Sequence, residues 1–183
     1  MKQAPHRDIR DLIERIARIN AADEWTHDLN PTQWLALSYL GRANRFSRAP
    51  SQVAEFMSAT RGTVSQTLKA LARKGLIEEI RSQSDRRWIS YTVTKSGAKA
   101  LNRSTAIDEA IDKLKQAEID TLAAGLQALV RGVLKARDKS PFGICKTCRH
   151  HKRQGAGGFC VLLGENLRRE EVQQICHEHR EAT

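Results

Sequence analysis

The sequence predicts a mainly α-helical protein: a winged helix-turn-helix with flanking dimerisation helices, followed by a small cysteine-rich metal module. Three observations predict it. Apolar residues recur at helical spacing through most of residues 8–137, and the period shortens to two only near residues 77–93. All four cysteines, Cys145, Cys148, Cys160 and Cys176, fall within the last forty residues. The chain therefore divides into a unit at 1–137 and an appendage at 138–183.

Each element has its own local signal. Ile9, Leu12, Ile13, Ile16 and Ile19 give an amphipathic helix over residues 8–20. Asn30-Pro31-Thr32 opens a second helix through Trp34, Leu37 and Leu40, with Gly41 as its stop. Pro50 suits the first turn of a short third helix carrying Val53, Phe56 and Met57. Thr60 is the N-cap of the next, which ends at Gly75 after Lys74. Ile89, Tyr91 and Val93 then alternate with Ser90 and Thr92, Ile77–Arg81 forms the partner strand, and the polar residues 82–87 make the hairpin tip. Thr94 caps a long helix through Leu101, Ile107, Ile111 and Leu114. Another follows through Ile119, Leu122, Leu126, Leu129 and Val133, with an apolar stripe wide enough to call for a partner chain. Ser140-Pro141-Phe142-Gly143 breaks the pattern and marks the boundary to the cysteine segment.

Composition narrows the function. Of a net charge of +10 over 183 residues, residues 41–103 supply nine, with thirteen Lys/Arg against four acids. So localised a surplus is the footprint of a phosphate-binding surface. No apolar run approaches a membrane span and the first eighteen residues carry no hydrophobic leader, so the expected location is cytoplasmic. In that compartment clustered thiols argue for metal or redox chemistry over structural disulfides.

Residues 61–74 form the reading head. With Val64 at the centre of a helical wheel, Leu68 and Leu71 fall within about 40° of it as the buried stripe. Gly62, Gln66, Lys69 and Arg73 lie opposite, with Ser65 on the flank. Such side chains meet base edges and phosphates in a major groove. A basic hairpin follows, carrying Arg81, Arg86 and Arg87 around Asp85. Arginines at a wing tip suit the enhanced negative potential of a narrow minor groove, and Asp85 fits an internal pairing partner for one of them.

The residues that build this head carry a family resemblance. Leu29-Asn-Pro-Thr-Gln-Trp-Leu-Ala-Leu, Pro50-Ser-Gln-Val-Ala-Glu, Thr63-Val-Ser-Gln-Thr-Leu, Lys74-Gly-Leu-Ile, Asp85-Arg-Arg and Thr94-Lys-Ser-Gly occur in the order found in MarR-type transcriptional regulators, which the chain resembles over about residues 8–137. The resemblance implies a homodimer held by the first and last two helices of that domain. It implies a double-stranded, pseudo-palindromic DNA operator with half-sites about one helical turn apart, and repression released by a ligand or by oxidation. Carried over position by position, Arg61, Thr63, Ser65, Gln66 and Lys69 sit at the major groove, and Arg86 or Arg87 enters the minor groove. A small-molecule effector would occupy the cleft between the DNA and dimer regions. No cysteine occurs in residues 1–137, so thiol sensing inside that domain is excluded.

The appendage reads C-x2-C-x11-C-x15-C, with His150, His151, His177 and His179 close by. A CxxC turn presents two thiolates to one ion, and Gly155-Ala-Gly-Gly158 lets the chain return to bring Cys160 alongside. Four cysteines complete a tetrahedral zinc site or hold an iron–sulfur cluster, and metal-free thiols are the third reading. The order CxxC, Gly-rich loop, Cys-x-Leu and late cysteine looks like the cluster-binding part of high-potential iron proteins, without most of that family's aromatic shielding. The histidines read as solvated, and Glu165, Glu170 and Glu171 as a solvated helix face. Four cysteines close a metal site rather than leave it open for catalysis, so an enzyme is not expected. The competing class is a nonspecific nucleic-acid binder or scaffold with a purely structural zinc module.

Overall fold

The computed structural model describes residues 5–24, 28–81 and 89–182. Asp85, Arg86 and Arg87 of the wing tip lie outside the described residues. The helices are α1 (Pro5–Glu24), α2 (Pro31–Arg42), α3 (Pro50–Phe56), α4 (Arg61–Arg73), α5 (Lys95–Leu101), α6 (Ala106–Ile111) and α7 (Gln116–Ala136). The strands are β1 (Ile77–Arg81), β2 (Ile89–Val93), β3 (Gly143–Ile144), β4 (His151–Gln154), β5 (Gly157–Cys160), β6 (Glu165–Leu167) and β7 (Ile175–Cys176).

Helix α2, the pair α3–α4 and the antiparallel ribbon β1–β2 enclose the main core. Leu37, Tyr39, Leu40, Val53, Val64, Leu68, Leu71 and Ile77 are sealed from water there. Local chemistry starts the elements where the sequence indicates. The Asn30 side chain accepts from Gln33 N at 2.8 Å, with Pro31 in the first turn. Thr60 Oγ1 accepts from Thr63 N at 3.1 Å. Gly75 takes the left-handed conformation (φ 68°) that ends α4 and turns the chain into β1. The ribbon pairs Ile77 with Val93 and Arg81 with Ile89.

Two boundaries differ from the sequence reading. Gly41 lies inside α2 rather than stopping it, and a Cβ there would come within 2.6 Å of Leu101 Cδ1. Its small size serves the contact between α2 and α5. The long helix expected from Thr94 is two short ones. Thr94 caps α5, but Thr105 opens α6 with a reciprocal capping box: Asp108 N donates to Thr105 Oγ1 at 3.2 Å, and Thr105 N donates to Asp108 Oδ2 at 2.8 Å. Residues 102–105 are all polar, and the break they make is completed by the new cap.

The flanking helices expose apolar stripes. Ile9, Leu12, Ile16 and Ile19 on α1, and Leu122, Leu126, Leu129, Val130 and Val133 on α7, are open to solvent in the single chain. Helix α7 is 21 residues long without one buried side chain. No helix among the described residues is long and apolar enough to cross a membrane.

The C-terminal segment is strand-rich: β3 pairs with β7, and β4–β5–β6 form an antiparallel sheet. Phe142 seats it on the helical core, its ring centroid 5.4 Å from that of Phe56 and 6.0 Å from that of Tyr39. The Ser-Pro-Phe-Gly break thus contains a packing residue.

Candidate nucleic-acid interface and cysteine cluster

Helix α4 buries Val64, Thr67, Leu68 and Leu71, which turns its other face outward. Arg61, Thr63, Gln66, Lys69 and Arg73 are exposed and Ser65 is half-buried, so the structure brings six of the named residues onto one helix. Among the described residues none of Arg61, Lys69 and Arg73 enters an ion pair. Arg81, at the end of β1, is held by the ribbon itself: its Nη2 lies 2.7 Å from Glu79 Oε1. Tyr91 donates its hydroxyl to the other oxygen of Glu79 at 3.1 Å, and burial together with that carboxylate raises the phenol's pKa.

A cleft of about 880 Å³ opens between α1, α2, α5 and α6, lined by Ile16, Trp34, Arg42, Leu101, Arg103 and Ile107 among others.

The four cysteines converge. Cys145, Cys148, Cys160 and Cys176 line one enclosed cavity of about 10 Å³, together with His150, His151, Leu162, Leu167 and Glu178. All four thiols are free. Cys145 and Cys176 are hydrogen-bonded to each other; that bond, with burial, drives the Cys145 thiol well above the usual range. The bond from Cys145, helped by Asn44 and Ser47, pulls Cys176 down to about 6. Among the described residues no group of three or more His, Cys, Asp or Glu already stands arranged to hold a metal ion.

The helical half supplies part of this cluster's surroundings. The fully buried Asn44 donates Nδ2 to Cys145 Sγ at 3.2 Å, and its Oδ1 accepts from Phe46 N at 3.1 Å. Asn44 N donates to Ile175 O at 2.9 Å, and His177 N donates to Ser47 Oγ at 2.9 Å. On the other side Arg180 N donates to Cys148 Sγ at 3.4 Å. Among the described residues two buried imidazole nitrogens lack partners, His151 Nε2 and His179 Nδ1, and His151 lines the cysteine cavity. His179 is itself buried, and burial lowers its pKa. These two rings therefore depart from the solvated reading.

The expected acidic helix face is also absent. Glu165 belongs to strand β6, and Glu171 is buried, paired with Arg45 through Nη1 and accepting from Arg168 N at 2.8 Å. Arg45 Nη2 also donates to Asn166 O at 2.9 Å. A cation from the α2–α3 connection, 126 residues away, makes that burial tolerable. Nothing in the local sequence around Asn44, Arg45 or Ser47 announced these roles, because their partners are over a hundred residues distant.

Comparison with known proteins bears on the helical half. Residues 27–87 match the model of the MarR family. No curated protein matches the chain. Among solved structures, the fold is similar to Streptococcus pneumoniae FabT in complex with DNA: TM-score 0.54, 24% identity, 73% of this chain and 99% of that one. It is similar to the S. aureus MepR–DNA complex at TM-score 0.56 and 21% identity, covering 72% and 99%. The transcriptional regulator SlyA matches at TM-score 0.57 and 19% identity, covering 73% and 96%. About a quarter of this chain lies outside each likeness. Residues 27–87 are therefore similar to the MarR family, and the likeness to the solved structures is one of fold.

Proposed function

We propose that this protein is a dimeric, sequence-specific DNA-binding transcription regulator of the cytoplasm, acting as a repressor. The observation that carries the reading is helix α4: its apolar side is sealed into the core while Arg61, Thr63, Gln66, Lys69 and Arg73 face outward together. Relatives of the same fold, FabT and MepR, are seen bound to DNA. The apolar stripes of α1 and α7 fit a second copy of the chain, which would place two reading heads on two half-sites. The cleft beside Trp34 and Arg103 is the natural seat of a small-molecule effector. The test is selection of an operator from random duplexes, followed by binding of the Gln66→Ala/Lys69→Ala variant. The expected result is a loss of specific affinity of about tenfold to a hundredfold in a folded dimer. Equal affinity of the unaltered protein for operator and random duplex would instead favour a nonspecific binder with a structural module.

The cysteine cluster is, in this proposal, a metal site. Four cysteines and His151 line one cavity, and N–H groups of Asn44 and Arg180 donate to the sulfurs of Cys145 and Cys148. A space of about 10 Å³ suits one ion, since a single water needs about as much. That favours zinc over a multi-iron cluster, which would require the cysteines to spread. Zinc would bind the deprotonated sulfurs and tie the segment together. Metal analysis and a visible spectrum of protein purified without oxygen decide it. One zinc per chain and no colour is expected; iron with sulfide would select the cluster, and neither metal would leave metal-free thiols. Whether metal loss tunes DNA affinity is read from operator binding of a Cys148→Ser/Cys160→Ser variant.

A further inference from the structure

We infer that the cysteine-rich segment is a second DNA-contacting element, a basic hairpin that engages the phosphate backbone beside the site read by α4. This rests on the DNA-binding reading above and extends it to a region outside the matched family segment. From Cys145 to Gly164 the chain carries Lys146, Arg149, Lys152 and Arg153 and not one acid. All four cations are exposed. Among the described residues none of them has an ion-pair partner, and neither has Arg169. A buried salt-bridge role is thereby unavailable to them.

Their placement makes a groove. Lys146, Arg153 and Arg169 come from three different elements and line one open channel of about 830 Å³, with His151, the Gly155 turn and a single carboxylate, Glu170. Gly155 turns the hairpin tip at φ 57°, and no side chain there obstructs the approach of a backbone. Three cations against one acid around an open channel suit a chain of phosphates better than a cationic ligand.

The attachment ties this groove to the reading head. The connection between α2 and α3 is bonded on one side to the wing, where Tyr91 N donates to Arg48 O at 3.2 Å. It is bonded to the C-terminal segment through Asn44, Ser47 and Arg45. Gln52 in the first turns of α3 also lies 3.1 Å from His177 Nδ1 through its Nε2. Wing, helix pair and C-terminal segment are thus bonded to one short turn, so the segment that carries the hairpin is held against the winged helix rather than hanging as a loose tail.

The test is the salt dependence of operator binding by the full-length dimer, comparing Lys146→Ala/Arg153→Ala/Arg169→Ala with an equal-charge control, Arg18→Ala/Lys113→Ala/Lys135→Ala. Each lost phosphate contact lowers the slope of log K against log salt by about 0.9. The groove variant is expected to lose about 2 or more from that slope, weakening operator and random duplex by the same factor. The control is expected to keep its slope within about 0.5. Metal content and circular dichroism of both variants establish that they are folded. A folded groove variant with the unaltered slope, or a control that loses as much, overturns the inference while leaving the α4 reading intact. An unaltered protein that binds no duplex at any salt overturns both.

Discussion

In the winged helix, Leu37, Leu40, Val64, Leu68 and Leu71 are closed off from water by four elements that cross one another. In the C-terminal segment, the buried apolar side chains among the described residues are Leu167 and Ile175, beside the sulfurs of Cys145 and Cys176. The first region carries its own hydrophobic driving force. The second has too little apolar burial for that and borrows order from two sources: polar pins into the α2–α3 connection, and whatever closes the four-cysteine cavity. The comparison teaches that a short segment can be well ordered without a core when its partners are already rigid.

If the cysteine cavity holds zinc as proposed, its removal separates the two regions most visibly. A strong chelator is expected to cost the segment on the order of 5 kcal/mol or more of local stability. Hydrogen exchange would show residues 143–176 losing amide protection while residues 31–101 keep theirs. Retained protection in both would mean the polar pins suffice alone.

The next largest effect runs the other way. Leu68→Ala is expected to destabilise the helical core by about 3 kcal/mol, and the C-terminal segment should unfold with it in a single denaturant transition. Two separated transitions would show that the segment stands independently.

Arg45→Met removes the cation beside the buried carboxylate of Glu171. Because Arg45 is about one-third exposed, at 34%, the cost is expected to be about 2 kcal/mol rather than that of a fully buried pair. Its effect should appear as faster exchange in residues 165–176 with operator affinity through α4 nearly unchanged. The smallest effect is Thr60→Ala, which loses the cap of α4 for about 1 kcal/mol, read as a lower thermal midpoint with no change in metal content.

Much of the helical half was legible because its determinants are local. Thr60, Thr94, Gly75 and the alternation from Ile89 to Val93 act within a turn of the chain, and each places its element as the residues indicate. The division of α4 into a buried and an exposed face was legible for the same reason. Where the reading failed, a competing local signal or a distant partner won. Thr105 and Asp108 started a new helix where the sequence reading had run one helix from Leu101 to Ile107 across the polar residues 102–105. Gly41 looked like a stop until Leu101 was beside it. Glu171 looked like a solvent-facing charge until Arg45 reached it.

The sequence by itself determined the helix-turn-helix and its ribbon, the outward side chains of α4, and the presence of four thiols at metal-ligand spacing. Caps, turn glycines and hydrophobic period are encoded over a few residues, so no tertiary information was needed. Only the tertiary structure decided that these four thiols share one cavity and that Asn44 and Ser47 of the helical half serve it. It alone showed the C-terminal segment bonded to the connection that also holds the wing. Those arrangements join residues more than a hundred positions apart, and a one-dimensional period carries no record of which distant polar group will satisfy a buried one.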